Sequence, residues 1–150
     1  MSSYAQADDI FVCKNGVGLS FIDENMAFLK KNCDANTALI VGLGVNDVYR
    51  GREKYVEKLN QMAKEFDCPI YYVLVNPVDE AKEAQNGYSV TTDQITAFNK
   101  TLQEKLDSSI TIIDTNTYLN QVGFQTSDGL HYDQATYGLI YNYIRKFIAG

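Results

Sequence analysis

The chemistry of this sequence starts from its single histidine, His131, which closes the run Asp128-Gly129-Leu130-His131 near the C-terminus. Imidazole is the side chain best suited to take up and return a proton near neutral pH. Asp128 lies three residues earlier, where a carboxylate can fold back, hold one tautomer of the ring and stabilise the imidazolium. The pair is a candidate general base with its orienting partner. The alternative is an aspartate that caps a turn beside a partly exposed histidine.

Two glycine-containing clusters offer hydrogen-bond donors to the same chemistry. Asn15-Gly16-Val17-Gly18 follows the apolar run 10–13, and Gly44-Val45-Asn46-Asp47 follows the run 37–42. The side-chain amide of Asn46 and the backbone N–H of Gly18 are donors of the kind that forms an oxyanion hole. The simpler interpretation gives the glycines backbone freedom and makes Asn-Asp a turn and helix cap.

Strand and helix patterns alternate along the chain. The predicted strands cover 10–13, 37–42, 70–75 and 110–113. Apolar residues at helical spacing follow each strand and predict a helix there. Ser20 and Asp133 are the expected N-caps of the first and last long helices. Short helices are expected near 79–84 and near Tyr118. This order predicts a three-layer α/β fold, in which helices cover both faces of a parallel sheet. Because ligands bind beyond the C-terminal strand ends of such a sheet, the three polar clusters should meet there.

Composition narrows the classes of function. The 150 residues fit one domain, 1–150, and the net charge of −6 argues against a nucleic-acid partner, which needs Lys and Arg to neutralise phosphates. No apolar run is long enough to cross a membrane. One histidine and scattered carboxylates give no metal-ligand spacing, so no metal is expected. Cys13 and Cys68 fall in or beside apolar runs and are expected to be buried thiols.

The clusters in combination resemble the SGNH (GDSL-like) hydrolase family. Gly44-Val45-Asn46-Asp47 is similar to its Gly-x-Asn-Asp block, and Asp128-Gly129-Leu130-His131 to its Asp-x-x-His block. The run from Asn15 to Ser20 resembles its glycine block, where the Gly of a Gly-x-Ser step lends an N–H, which favours Gly18 over Gly16. The resemblance spans about residues 10–150 and is strongest to small members from Gram-positive bacteria.

The resemblance implies a flavodoxin-like fold and hydrolysis of an ester, often a short acyl group on a sugar. His131 would be the general base and Asp128 its orienting partner. Gly18 and Asn46 would hold the oxyanion, and Gly44 and Asp47 would support the loop. The implied substrate is a small-molecule or carbohydrate ester, with no metal or organic cofactor, and the implied location is extracellular or on the cell surface.

The sequence departs from the family at the nucleophile. The family begins with a strand that ends in Gly-Asp-Ser, and no such run occurs here. Ser2 and Ser3 lie near the right place, but no strand holds them, so neither is the expected nucleophile. We therefore expect an N-terminally truncated domain without the first strand, inactive as written. Its unpaired strand edges would favour homo-oligomers.

Two other functions remain open from the sequence. One is a non-catalytic carbohydrate-binding module on the same fold, which the eleven tyrosines would suit. The other is a flavodoxin-like signalling domain. The signalling domain is disfavoured because no acidic pocket follows the first predicted strand, although Asp8 and Asp9 precede that strand.

Overall fold

A computed structural model describes residues 4–148. Six helices and three strands follow one another along this part of the chain: α1 (Ser20–Asn32), β1 (Leu39–Val41), α2 (Arg52–Glu65), β2 (Ile70–Val73), α3 (Glu80–Gln85), α4 (Thr92–Lys105), β3 (Ile110–Ile113), α5 (Thr115–Val122) and α6 (Gln134–Ile148). A short 3-10 helix, Val45–Asp47, follows β1. None of these helices is long and apolar enough to cross a membrane.

The strands form a parallel sheet in the order β1-β2-β3. Leu39 pairs with Ile70, and Ile70 pairs with Ile110. Parallel strands need crossover connections, and helices supply them between both pairs of strands. The prediction of an α/β parallel sheet is confirmed.

Side chains alternate across the central strand β2 and divide the core in two. Tyr72 is fully buried in a cluster that contains residues of α2 and α4. Its neighbour Val73 packs in a second cluster with Leu119 of α5 and Ile140 of α6. Because successive strand residues point to opposite faces, helices cover both faces of the sheet, as predicted.

The predicted strand over residues 10–13 is wrong. The segment Ile10–Cys13 has no strand conformation and pairs with no strand among residues 4–148, and Ile10 is 68% exposed. Residues 11–13 line a surface groove with Phe21 and Phe28 of α1. An apolar run becomes a strand only where a neighbouring strand pairs with its backbone groups, and this run meets none in the described chain.

Two smaller predictions near this segment also fail. Cys13 is exposed, whereas Cys68 is buried as expected. Ser20 does not cap α1 but is its first helical residue, and the N-cap residue, Leu19, makes no side-chain capping hydrogen bond. At the other end of the chain the cap prediction is confirmed, because Asp133 Oδ1 accepts a hydrogen bond from the Thr136 N–H at 2.8 Å.

Candidate active site

A cavity of about 580 Å³ opens at the C-terminal ends of β1 and β2. Its wall contains residues from all three predicted clusters, including Gly16, Asn46 and His131. The remaining lining residues are Lys14, Asn15, Val17, Gly42, Leu43, Gly44, Val45, Val73, Leu74, Val75, Asn76, Val78, Tyr88, Leu130, Tyr132 and Tyr137. The clusters meet there because the carboxyl ends of parallel strands share one edge of a sheet.

His131 and Asp128 form a hydrogen-bonded pair at this cavity. The Nδ1 atom of His131 lies 2.7 Å from Oδ2 of Asp128. Its other ring nitrogen, Nε2, has no hydrogen-bond partner among residues 4–148, and the side chain is 53% exposed. Asp128 therefore holds the ring through Nδ1, while Nε2 remains free to accept a proton, as a general base requires.

A tight turn fixes the carboxylate of Asp128. Its Oδ1 atom accepts the N–H groups of Leu130 at 3.0 Å and of His131 at 2.8 Å. The backbone and ring hydrogen bonds from His131 hold the pKa of Asp128 well below its usual range. Asp128 is therefore an anion at neutral pH, and it fixes both the conformation of the turn and the orientation of the imidazole ring.

The turn rests on the N-terminal part of α3. The carbonyl of Gly129 accepts the Asp79 N–H at 2.9 Å, and Lys82 Nζ donates to the carbonyl of Thr126 at 2.9 Å. Gly129 has a φ of +99°, and a Cβ added to it would lie 2.3 Å from the backbone nitrogen of Glu83. The turn can sit this close only because residue 129 is a glycine.

Glu83 is a buried carboxyl behind this turn. It is 1% exposed, and neither carboxyl oxygen has a hydrogen-bond partner of normal geometry among residues 4–148, although the backbone of Val90 is near. Burial raises the pKa of Glu83, and the charges of Glu80 and Asp128 add to this effect.

The two glycine clusters meet at the same cavity. Asn46 Nδ2 donates to the carbonyl of Val17 at 2.8 Å, which leaves its second N–H for a ligand. Asp47 Oδ2 accepts the Leu19 N–H at 3.0 Å. Gly18, between these two contacts, has an N–H with no hydrogen-bond partner among residues 4–148.

Gly44 packs beneath this wall. Its φ is +142°, and a Cβ there would lie 2.8 Å from Val75 Cγ2 and 3.0 Å from Phe98 Cε1. A side chain at this position would push the Val45–Asp47 turn away from the sheet, so the glycine sets the height of Asn46 above the strand ends.

The predicted site residues thus take three kinds of position. Gly44, Asn46 and His131 line the cavity, Asp128 bonds to the ring behind it, and Gly18 and Asp47 stand just behind the wall. Sequence reasoning did not identify Tyr88, whose ring lies edge-on to that of His131 with 6.2 Å between centroids. It did not identify Glu83 either, because a glutamate in a polar helix carries no sequence signal of burial.

No serine among residues 4–148 lines the cavity. The hydroxyl of Ser127 donates to the carbonyl of His131 at 3.1 Å, so it faces the backbone of the turn. Ser20 is exposed at the start of α1. Ser2 and Ser3 lie outside the described residues. Within 4–148, no group of three or more His, Cys, Asp or Glu side chains could hold a metal ion.

Comparison with known proteins adds a fold relationship. Neither a family model nor a curated protein matches the chain. The structure is similar to the crystal structure of the lipase/acylhydrolase from Enterococcus faecalis, with a TM-score of 0.65 and 17% sequence identity. The match covers 85% of this chain and 68% of that one. The chain therefore has the fold of a lipase/acylhydrolase.

Proposed function

We propose that this domain provides the general base and the oxyanion hole of an SGNH-type ester hydrolase. The observation that carries the proposal is the His131–Asp128 pair, with Nδ1 and Oδ2 2.7 Å apart, at a cavity that Asn46 also lines. The fold shared with a lipase/acylhydrolase supports the same reaction class. The substrate class is a small-molecule or carbohydrate ester.

Each group has one task in this mechanism. Nε2 of His131 removes the proton from the attacking hydroxyl and later returns it to the leaving alkoxide, while ionised Asp128 stabilises the imidazolium. The free N–H of Asn46 and the N–H of Gly18 stabilise the negative charge that develops on the carbonyl oxygen. The nucleophile is a serine from outside residues 4–148, because no serine within them lines the cavity.

Hydrolysis of p-nitrophenyl acetate and butyrate tests the proposal. The chain is assayed alone and after fusion to any in-frame upstream segment of its gene that ends in Gly-Asp-Ser. We expect hydrolysis only with that segment. His131→Ala should lower kcat/KM by about 10²–10⁴-fold. Asn46→Ala should lower kcat by about 10²–10³-fold.

Asn120→Ala is the matched control, because Asn120 is exposed on α5 and, among residues 4–148, its side-chain amide bonds to Asn116 alone. Its activity should equal that of the unmodified protein. Full activity in His131→Ala would refute the general-base role. The absence of an in-frame Gly-Asp-Ser within about a dozen codons upstream would refute the source assigned to the nucleophile.

A non-catalytic carbohydrate-binding module is the second candidate. It is favoured because no serine among residues 4–148 lines the cavity, and because Asn15, Asn76, Tyr88 and Tyr137, with their amide and phenol groups, do. Under this alternative, sugars bind in calorimetric titration with no turnover of their esters. His131→Ala would then bind them as well as the unmodified chain does.

The free edge of β1 supports a proposal of self-association. In the described chain β1 pairs only with β2, and Ile40 and Phe11 are 39% and 42% exposed. Unpaired strand edges beside apolar side chains promote association. Light scattering should give a mass above 16.9 kDa that falls on dilution. A constant monomer mass up to about 1 mM would contradict the proposal, because the association free energy would then be weaker than about −4 kcal/mol.

A further inference from the structure

Asn46 and Asp47 are adjacent in sequence and hold the Gly18 segment at two points. Asn46 bonds to the carbonyl of Val17, and Asp47 bonds to the N–H of Leu19. The two contacts lie on either side of Gly18. They fix the two peptide groups on either side of the Gly18 Cα, and the first of these, between Val17 and Gly18, carries the unpaired Gly18 N–H.

The two contacts, Asn46 to Val17 and Asp47 to Leu19, are called the clamp below. Tyr55 anchors the clamp in the core. The Tyr55 hydroxyl donates to Asp47 Oδ2 at 2.8 Å, and this is the oxygen that accepts the Leu19 N–H. Tyr55 is fully buried and packs edge-on against Phe98, with 5.2 Å between ring centroids. Burial first, and the bond to Asp47 second, raise the pKa of Tyr55, which therefore remains a donor.

The fit between Asp47 and Gly18 is close. A Cβ added to Gly18 would lie 2.2 Å from Asp47 Oδ2, so no other residue fits here without a shift. Asp47 therefore sets both the height and the direction of the Gly18 peptide. Rotation of that carboxylate would move the Gly18 N–H relative to the amide of Asn46.

We infer that Asp47 is the positioning residue of the oxyanion hole: its carboxylate, oriented by Tyr55, fixes the peptide between Gly18 and Leu19 and with it the direction of the Gly18 N–H. The catalytic role of Asp47 in this inference rests on the proposed function. The clamp itself is a property of the chain as it stands, and it is measurable without turnover.

Amide hydrogen exchange of the full chain, followed by NMR, tests the clamp. The readout is the exchange rate of the Leu19 amide relative to that of Tyr72 in the centre of the sheet, which corrects for global destabilisation. Asp47→Ala should accelerate Leu19 about 10–100-fold relative to Tyr72, because a hydrogen bond to a charged group is lost. Asp47→Asn retains an acceptor and should give an intermediate rate, and Tyr55→Phe should also accelerate Leu19.

Asp23→Asn is the control, since Asp23 is an exposed carboxylate whose Oδ1 lies 2.6 Å from Lys58 Nζ. It should leave the ratio unchanged. If Asp47→Ala does not fold, Asp47→Asn and Tyr55→Phe still decide the question. An unchanged ratio in these variants overturns the clamp.

A kinetic measurement tests the catalytic meaning separately. In the form that hydrolyses p-nitrophenyl esters, Asp47→Asn should lower kcat about tenfold with KM unchanged, because a misplaced donor loses contact with the transition state only. An unchanged kcat overturns the positioning role. Absence of all hydrolysis would instead refute the proposed function, and the exchange ratio would still decide the clamp.

Discussion

Asp128 accepts hydrogen bonds from both the ring and the backbone N–H of His131, with Oδ2 on Nδ1 at 2.7 Å and Oδ1 on the N–H at 2.8 Å. One carboxylate therefore determines the path of the turn and the orientation of the imidazole. The two functions are coupled, because a change that disturbs the turn also misplaces the base. This coupling makes the pair testable through stability as well as through activity.

Asp128→Asn should remove part of the acid sensitivity of the fold. The pKa of Asp128 is lower in the folded chain than in the unfolded chain, so its contribution to stability is present above about pH 4 and is lost as pH falls below that. Thermal unfolding between pH 2 and 7 should therefore show a smaller loss of stability in the variant. Exposed Asp8→Asn is the control, and equal acid profiles of Asp128→Asn and the unmodified chain would contradict the prediction.

Gly129→Ala should destabilise the turn more than the same change at Gly87. Both glycines have positive φ, but a Cβ at Gly87 meets nothing within 4 Å, whereas at Gly129 it would lie 2.7 Å from the carbonyl oxygen of Asp79. Backbone strain is common to both, and the steric clash at Gly129 should cost about 1–3 kcal/mol more. Urea unfolding of the two variants measures the difference. Equal losses would show that the turn does not depend on its contact with α3.

Glu83→Gln should make the fold less sensitive to a rise in pH. Because burial raises the pKa of Glu83 in the folded chain, the unmodified protein loses stability as pH rises from about 4.5 through the folded value. The neutral amide avoids this loss, so the variant should be the more stable one at pH 8 and little different at pH 4. Glu80, Asp128 and Tyr132 face the same carboxyl and remain in place. Exposed Glu57→Gln is the control, and a pH profile of Glu83→Gln parallel to that of the unmodified chain would contradict a raised pKa at Glu83.

The three thiols should react with Ellman's reagent at separate rates. Cys13 is exposed, whereas Cys68 is 6% exposed and burial raises its pKa to about 11. At pH 7.5 one thiol should react in a fast phase, and Cys13→Ser should abolish that phase, since the thiolate is the reactive species. A fast phase that persists in Cys13→Ser would place another cysteine at the surface.

The sequence alone determined those elements whose signal is local. Helical spacing located α2 and α4, and the apolar runs located β1, β2 and β3, because periodicity is a property of neighbouring residues. Their alternation was enough to predict the parallel sheet, and with it the edge at which Asn46 and His131 meet.

Tertiary structure decided what depends on a distant partner. The run 10–13 has the composition of a strand, yet strand pairing depends on a neighbour, and the described chain supplies none. Glu83 stands in a polar helix and becomes buried only because Gly129, 46 residues later, packs on it. The sequence likewise indicates only a turn residue at Asp47, whereas in the fold the Tyr55 hydroxyl and the Leu19 N–H both donate to its Oδ2 atom. Burial and hydrogen bonding across such distances arise from packing, and no local pattern encodes them.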